Sequence, residues 1–297
     1  MVPPSGFAGR SHGSVVYLHG VGGPREGWSR PVADSLAGLT VELRSPTYDD
    51  LLTTRGRVYA QRVDHPDVVY SDGERASYVA RQHRLRDLID AVGEATTTAW
   101  PAALPRPAEI ADRLPVAPIL RTPLFGLDQV GRYLDDDARR AAVIRRVSTV
   151  ILAAPRPRVV IAHSLGSLVA WDLLADPRIE VDLLITAGSP LANAAVPRGH
   201  DAFPYDRVGA WLNLVHLLDP VPGGRGLHAA FPAACDAFLS PLPDASASGS
   251  VLARLASTLT RAATSHLDTT YFTSRTLLAS VREAMHVTSA PRHREAS

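Results

Sequence analysis

Short apolar runs alternate with amphipathic segments along most of this chain. Consecutive aliphatic and β-branched residues predict buried strands at 15–18, 39–43, 159–162, 181–186, 211–218 and 234–239. Apolar residues recur at helical spacing over 26–37, 74–92, 126–154, 251–263 and 273–285, and again from residue 165. Strands that alternate with helices predict an α/β fold, with a mostly parallel central sheet and helices on both faces.

Residues 49–125 interrupt this alternation. The segment is rich in Arg, Asp and Pro and is longer than a connection between strand and helix requires. We therefore interpret residues 1–297 as a single domain in which 49–125 form a largely helical cap or lid insertion.

The apolar side chains of this insertion must be buried against something, and two partners are open. If the insertion packs against the mouth of a site, Leu120, Leu124 and Phe125 would bind substrate. If it packs against the outside of the sheet, it would be scaffold. The apolar stripe that includes Tyr78 and Leu85 could be buried against either of these two surfaces. We favour the first alternative because the insertion follows the 39–43 strand at its carboxyl end.

Composition narrows the class of protein. Hydrophobic residues make up 45% of the 297 residues and charged residues 21%, which predicts a packed core. All 31 basic residues are Arg, and they are scattered among 30 acidic residues, so no nucleic-acid surface is expected. Cys235 is the single cysteine, which excludes an intrachain disulfide and a multi-cysteine metal site. Without a signal-like or membrane-spanning run, we expect a soluble, cytoplasmic protein with no integral membrane segment.

The most informative stretch surrounds Ser164. A buried strand runs directly into a helix here, and small residues, Ala162 and Gly166, flank the serine two positions to either side. Such residues allow a tight turn, which would hold the Ser164 hydroxyl exposed at a helix N-terminus where backbone N–H groups favour negative charge. The alternative is a serine that caps an ordinary helix.

Two further stretches follow predicted strands directly. The first is His19-Gly20-Val21-Gly22-Gly23, which lacks the Lys-Ser/Thr of a P-loop and the spacing of a dinucleotide site. It could also be a glycine-rich turn without chemistry. The second is Asp219, which directly follows a predicted strand. It is a stronger candidate for a functional carboxylate than Asp201, Asp206 or Asp236, which lie in loops or within a predicted strand. Since ligands bind beyond the carboxyl ends of parallel strands, all three stretches are expected at one edge of the sheet.

The stretch Ala162–Gly166 resembles the nucleophile elbow G-x-S-x-G of the α/β-hydrolase family, with Ala in place of the first Gly. The His19-Gly20 stretch is similar to the oxyanion loop of that family. The resemblance implies that the N–H groups of Val21 and Leu165 form an oxyanion hole.

The family's chain order of Ser, acid and His implies a triad of Ser164, Asp219 and His266. His228 is the weaker base because it precedes the last predicted strand. His163 is expected to point away from Ser164, and His19 to pack beneath the oxyanion loop. Ser189 is followed by Pro190, which argues against a second elbow, so we interpret it as a turn residue near the site.

Within this family the chain looks most like bacterial lipase- or esterase-like members. That implies a serine hydrolase that cleaves an ester or thioester of a small-molecule or acyl substrate through an acyl-enzyme, with no cofactor and no metal. The alternatives are an acyltransferase, thioesterase or peptidase that uses the same triad, and a non-catalytic binding protein of the same fold.

Overall fold

The described residues form a six-stranded sheet in which every strand is parallel to its neighbours. In chain order the strands are β1 (Ser14–Leu18), β2 (Glu42–Arg44), β3 (Arg158–His163), β4 (Leu183–Ala187), β5 (Trp211–His216) and β6 (Cys235–Leu239). Across the sheet the order is β2-β1-β3-β4-β5-β6. This computed structural model describes residues 13–21, 27–53, 71–92, 128–193, 196, 203–216, 219, 221–222, 226–239, 266 and 268–286.

Helices cover both faces of the sheet, which confirms the α/β class. They are α1 (Arg30–Ser35), α2 (Asp49–Thr53), α3 (Asp72–Val92), α4 (Asp128–Asp135), α5 (Asp137–Leu152), α6 (Leu165–Leu173), α7 (Asp268–Phe272) and α8 (Arg275–His286). Alternate side chains of β1 and β3 enter two separate cores. Val15 and Tyr17 pack with α1, α3, α7 and α8, whereas Val16 and Leu18 pack with α2, α4, α5 and α6.

The order of the strands reverses between β1 and β3. From β1 the chain moves outward to β2, and it then returns to the other side of β1 to form β3. In open parallel sheets such a switch point leaves a crevice beyond the carboxyl ends of the two strands, where ligands bind. His19 and Gly20 follow β1 at this crevice, and Ser164 follows β3.

Two helix predictions were wrong in detail. The predicted helix over 126–154 is two helices, because the Asp136 carboxylate caps α5 by accepting a hydrogen bond from the Arg139 N–H at 3.0 Å. The region around 265–271 was expected to break helical structure, yet α7 begins at Asp268. The predicted helix over 251–263 lies outside the described residues.

The helix α3 is scaffold. Its Tyr78 hydroxyl donates to the Ala233 carbonyl at 2.6 Å, and the Gln82 amide donates to the Trp211 carbonyl at 3.0 Å. Ala233 and Trp211 lie at the amino ends of β6 and β5, on the edge opposite the Ser164 crevice.

For residues 72–92 the structure therefore supports the scaffold alternative rather than the lid that we favoured. Leu120, Leu124 and Phe125 lie outside the described residues, so their predicted contact with substrate stays a prediction. Among the helices that the structure describes, none is both long and apolar enough to cross a membrane.

Candidate active site

Ser164 occupies a strained turn between β3 and α6. Its backbone has φ 50° and ψ −120°, and it is the only non-glycine residue with positive φ in the described part of the chain. Its N–H donates to the Ala187 carbonyl at 2.9 Å, which continues the β3–β4 pairing by one residue. The side chain makes no capping hydrogen bond to α6, so its Oγ is available to other groups.

The turn needs glycine at position 166. A Cβ atom there would lie 2.7 Å from the carbonyl carbon of Leu18 and 2.9 Å from the carbonyl oxygen of His19. Because both atoms belong to the backbone at the end of β1, no side chain could move aside to make room. Gly166 therefore allows β1 and α6 to approach each other, and the position two residues before Ser164 accepts the methyl group of Ala162.

Two serines support the turn from inside. The Ser167 hydroxyl donates to the Ser164 carbonyl at 2.6 Å, and its oxygen lies 2.8 Å from the Ser189 Oγ. Ser189 in turn accepts from the Leu191 N–H at 3.2 Å, at the start of a short 3-10 helix, Pro190–Ala192. Ser189 is thus a buried turn residue near the site, as the following proline predicted.

The three residues of the expected triad lie in one hydrogen-bonded row. The Nε2 atom of His266 is 2.8 Å from the Ser164 Oγ, and its Nδ1 atom is 2.8 Å from Oδ2 and 3.0 Å from Oδ1 of Asp219. A carboxylate only accepts, so Nδ1 carries the proton and the lone pair of Nε2 faces the serine hydroxyl. By contrast, His228 is exposed and its Nδ1 lies 3.0 Å from the Ala234 carbonyl, at the amino end of β6.

The Asp219 carboxylate is buried and receives three kinds of hydrogen bond. Besides His266, the Val221 N–H donates to Oδ1 at 2.8 Å and the Tyr271 hydroxyl donates to Oδ2 at 2.5 Å. Burial alone would raise the pKa of Asp219, but the neighbouring His266 and these donors outweigh it and hold the pKa below its usual value. Burial and the charge of Asp219 raise the pKa of Tyr271 well above 10, so the phenol stays a donor.

Sequence reasoning missed the roles of Tyr271 and Gly188. Gly188 has φ +55°, and a Cβ there would lie 3.0 Å from Oδ2 of Asp219 and 3.2 Å from the His266 ring. Only a residue without a side chain fits at position 188, beside the Asp219–His266 pair. A glycine directly after β4, at the same edge as Ser164, was the signal that could have found it.

The loop after β1 is held against Ser164. His19 is buried, its Nδ1–H donates to the Gly20 carbonyl at 2.7 Å, and its ring stacks on Tyr48 at 4.0 Å between centroids. Burial lowers the pKa of His19. A Cβ on Gly20 would lie 3.0 Å from the Cβ of Ser164. His19 thus packs within the loop as expected, and Gly20 places the loop directly beside the serine.

The two predicted oxyanion donors belong to the residue after Ser164 and to the residue after Gly20. Leu165 is buried and begins α6, so its N–H has no acceptor within the helix. Val21 follows Gly20 and is half-buried. Ser164 itself is only 1% exposed, which contradicts the expectation of an exposed hydroxyl, whereas the His266 side chain is 19% exposed. Solvent therefore reaches the row of side chains at the imidazole.

This arrangement can perform a defined set of proton movements. His266 can take the proton of the Ser164 hydroxyl, while Asp219 keeps the ring oriented and balances the charge that develops on it. The N-terminus of α6 provides backbone donors for a developing negative charge. Comparison of the chain with protein-family models, with curated proteins and with solved structures found no match.

Proposed function

We propose that this chain is a serine hydrolase of the α/β-hydrolase type that cleaves an ester or thioester. The observation that carries the proposal is the unbroken row of hydrogen bonds from Asp219 through His266 to Ser164. A buried carboxylate, an imidazole of fixed tautomer and a serine held at positive φ form the constellation that activates a hydroxyl for attack.

In the proposed reaction Ser164 Oγ attacks the carbonyl carbon of the substrate while its proton passes to Nε2 of His266. The carbonyl oxygen becomes an oxyanion that accepts hydrogen bonds from the N–H groups of Leu165 and Val21. When the tetrahedral intermediate collapses, the bond to the leaving group breaks and His266 protonates that alcohol or thiol. An acyl group then remains on Ser164.

Water completes the cycle by the same steps. His266 takes one proton of a water molecule, the hydroxide oxygen attacks the acyl carbon, and the bond to Ser164 Oγ breaks as the proton returns to the serine. The carboxylic acid is released and the enzyme is restored. All proton transfers use groups of this chain, and the hydrogen bonds of Asp219 to Tyr271 and Val221 keep the carboxylate in place throughout.

Hydrolysis of a panel of acyl esters, with matched thioesters and amides, tests the proposal. The panel grades the acyl chain length and is measured on the wild type and on the Ser164→Ala and His266→Ala variants. Since the triad acts as a unit, each change should lower kcat by about a million-fold, and the two losses should not add.

Matched controls carry the same chemical change elsewhere. Ser77→Ala, on the exposed face of α3, and His228→Ala, at the opposite edge of the sheet, should keep rates within about threefold of wild type. Absence of turnover on every substrate, or equal loss in a control and its triad counterpart, would contradict the assignment.

A further inference from the structure

His163, the residue before Ser164, contacts the site without a role in the proposed reaction. It ends β3, its side chain is buried, and its ring centroid lies 5.1 Å from that of His266 and 5.8 Å from that of Tyr271. Its Nε2 lies 2.9 Å from the backbone carbonyl oxygen of His266. Because a carbonyl oxygen only accepts, Nε2 carries the proton and donates to it.

The other edge of the same ring meets the loop after β1. A Cβ on Gly20 would lie 2.9 Å from Nδ1 of His163 and 3.0 Å from the Cβ of Ser164. The imidazole of His163 therefore fills the space between this loop and the turn that carries His266. One rigid side chain sets the separation between the loop beside the nucleophile and the base.

We propose that His163 is a positioning residue whose Nε2–H hydrogen bond to the His266 carbonyl holds the His266 imidazole in line between Asp219 and Ser164. The two side-chain bonds of His266 orient its ring only if the backbone that carries it is fixed. His266 lies two residues before α7 begins, so its carbonyl is a suitable point of attachment. Misplacement of a catalytic group by about 1 Å can lower a rate about a hundredfold.

The electrostatics of the site agree with a role in positioning rather than in proton transfer. Burial, and to a smaller extent repulsion by His266, lower the pKa of His163 to about 3 against the attraction of Asp219. The ring is therefore neutral near pH 7. It can donate a hydrogen bond to the backbone of the base without placing a second positive charge beside the base.

Three substitutions separate the hydrogen bond from the bulk of the ring. His163→Gln places an amide nitrogen at the same number of bonds from Cα as Nε2, so it keeps a donor to the carbonyl. His163→Asn carries the amide on a side chain that is one bond shorter, and His163→Phe keeps a ring without a donor.

The expected effect of these variants on the rate rests on the proposed hydrolase function. We expect the Gln variant to keep kcat/KM within about threefold of wild type, and the Asn and Phe variants to lose about ten- to a hundredfold in kcat with little change in KM.

A second measurement does not depend on turnover. The Nδ1 proton of His266, hydrogen-bonded to Asp219, is followed by NMR in the folded wild type and the same variants. We expect its downfield signal in the wild type and in His163→Gln, and its loss by exchange in His163→Asn and His163→Phe. If all variants keep both the signal and the wild-type rates, the proposal for His163 is wrong. If no protein turns over an ester but the signals follow this pattern, the hydrolase assignment fails while the positioning role stands.

Discussion

The positive φ of Ser164 has a measurable consequence for stability. A non-glycine residue in such a conformation costs about 1–3 kcal/mol, and glycine removes most of that cost. The comparison of Ser164→Gly with Ser164→Ala isolates this strain, because neither variant has the hydroxyl that contacts His266. Two effects oppose the gain: glycine is more flexible in the unfolded chain by about 0.4–1 kcal/mol, and loss of one buried methyl costs about 0.8 kcal/mol.

With a strain of about 2 kcal/mol, the middle of its range, the relief exceeds the opposing terms of about 1.5 kcal/mol. We therefore expect Ser164→Gly to be about as stable as Ser164→Ala, whereas glycine is usually the less stable of the two. Ser77, an exposed residue inside α3, provides the matched pair, since Ser77→Gly should be about 1 kcal/mol less stable than Ser77→Ala. Urea unfolding followed by circular dichroism gives both differences. If glycine at 164 costs as much relative to alanine as it does at 77, the turn at Ser164 is not strained and the reasoning fails.

Three further predictions concern neighbours of the triad. Gly166→Ala should lower the free energy of unfolding by about 2 kcal/mol in urea melts, because its Cβ would overlap the backbone of Leu18. Tyr271→Phe should lower kcat/KM about tenfold with little change in KM, because Asp219 loses a donor. His163 is neutral when folded, with a pKa of about 3 against an ordinary value of 6.5, so its contribution to stability is complete above pH 6.5 and is lost as the pH falls toward 3. His163→Gln should therefore reduce the loss of stability between pH 6.5 and 4.5 by about 2 kcal/mol, measured by unfolding at both pH values.

Each of these predictions has a control or a contrary outcome. Gly73→Ala in α3 brings its Cβ no closer than 4.0 Å to the Ser71 Oγ, so it should raise stability by up to about 1 kcal/mol rather than lower it. Tyr133→Phe removes a similar buried hydrogen bond to a carboxylate, that of Asp172 at 2.7 Å, away from the triad, and should leave kcat/KM unchanged. If His163→Gln loses as much unfolding free energy between pH 6.5 and 4.5 as the wild type, the His163 ring takes up protons as readily in the folded state as in the unfolded one.

The parts of the site that follow strands directly could be predicted from the sequence. A buried strand has a recognisable apolar run, and parallel strands bring their carboxyl ends to one edge, so the sequence alone predicts that Ser164 and Asp219 lie close together. The supporting residues could not be found in this way, because their roles depend on contacts between distant segments. Tyr271 is 52 residues from Asp219, and His163 is 103 residues from the carbonyl that it binds.

The helical pattern of α3 was equally ambiguous. Its apolar stripe shows that one face is buried, but periodicity alone does not identify the partner. The hydrogen bonds of Tyr78 and Gln82 to the amino ends of β6 and β5 decide the question for this helix. The break between α4 and α5 was missed because an internal aspartate can either continue a helix or cap the next one, as Asp136 does.

Covalent labelling by a fluorophosphonate probe, mapped by peptide mass spectrometry, tests the central claim most directly. We predict one label per folded chain, located on Ser164, absent from Ser164→Ala and formed far more slowly in His266→Ala. The reagent reports the activated serine itself, so the result does not depend on the choice of substrate. A folded wild-type protein that takes up no label, or that carries it on another residue such as Ser189, would contradict the account.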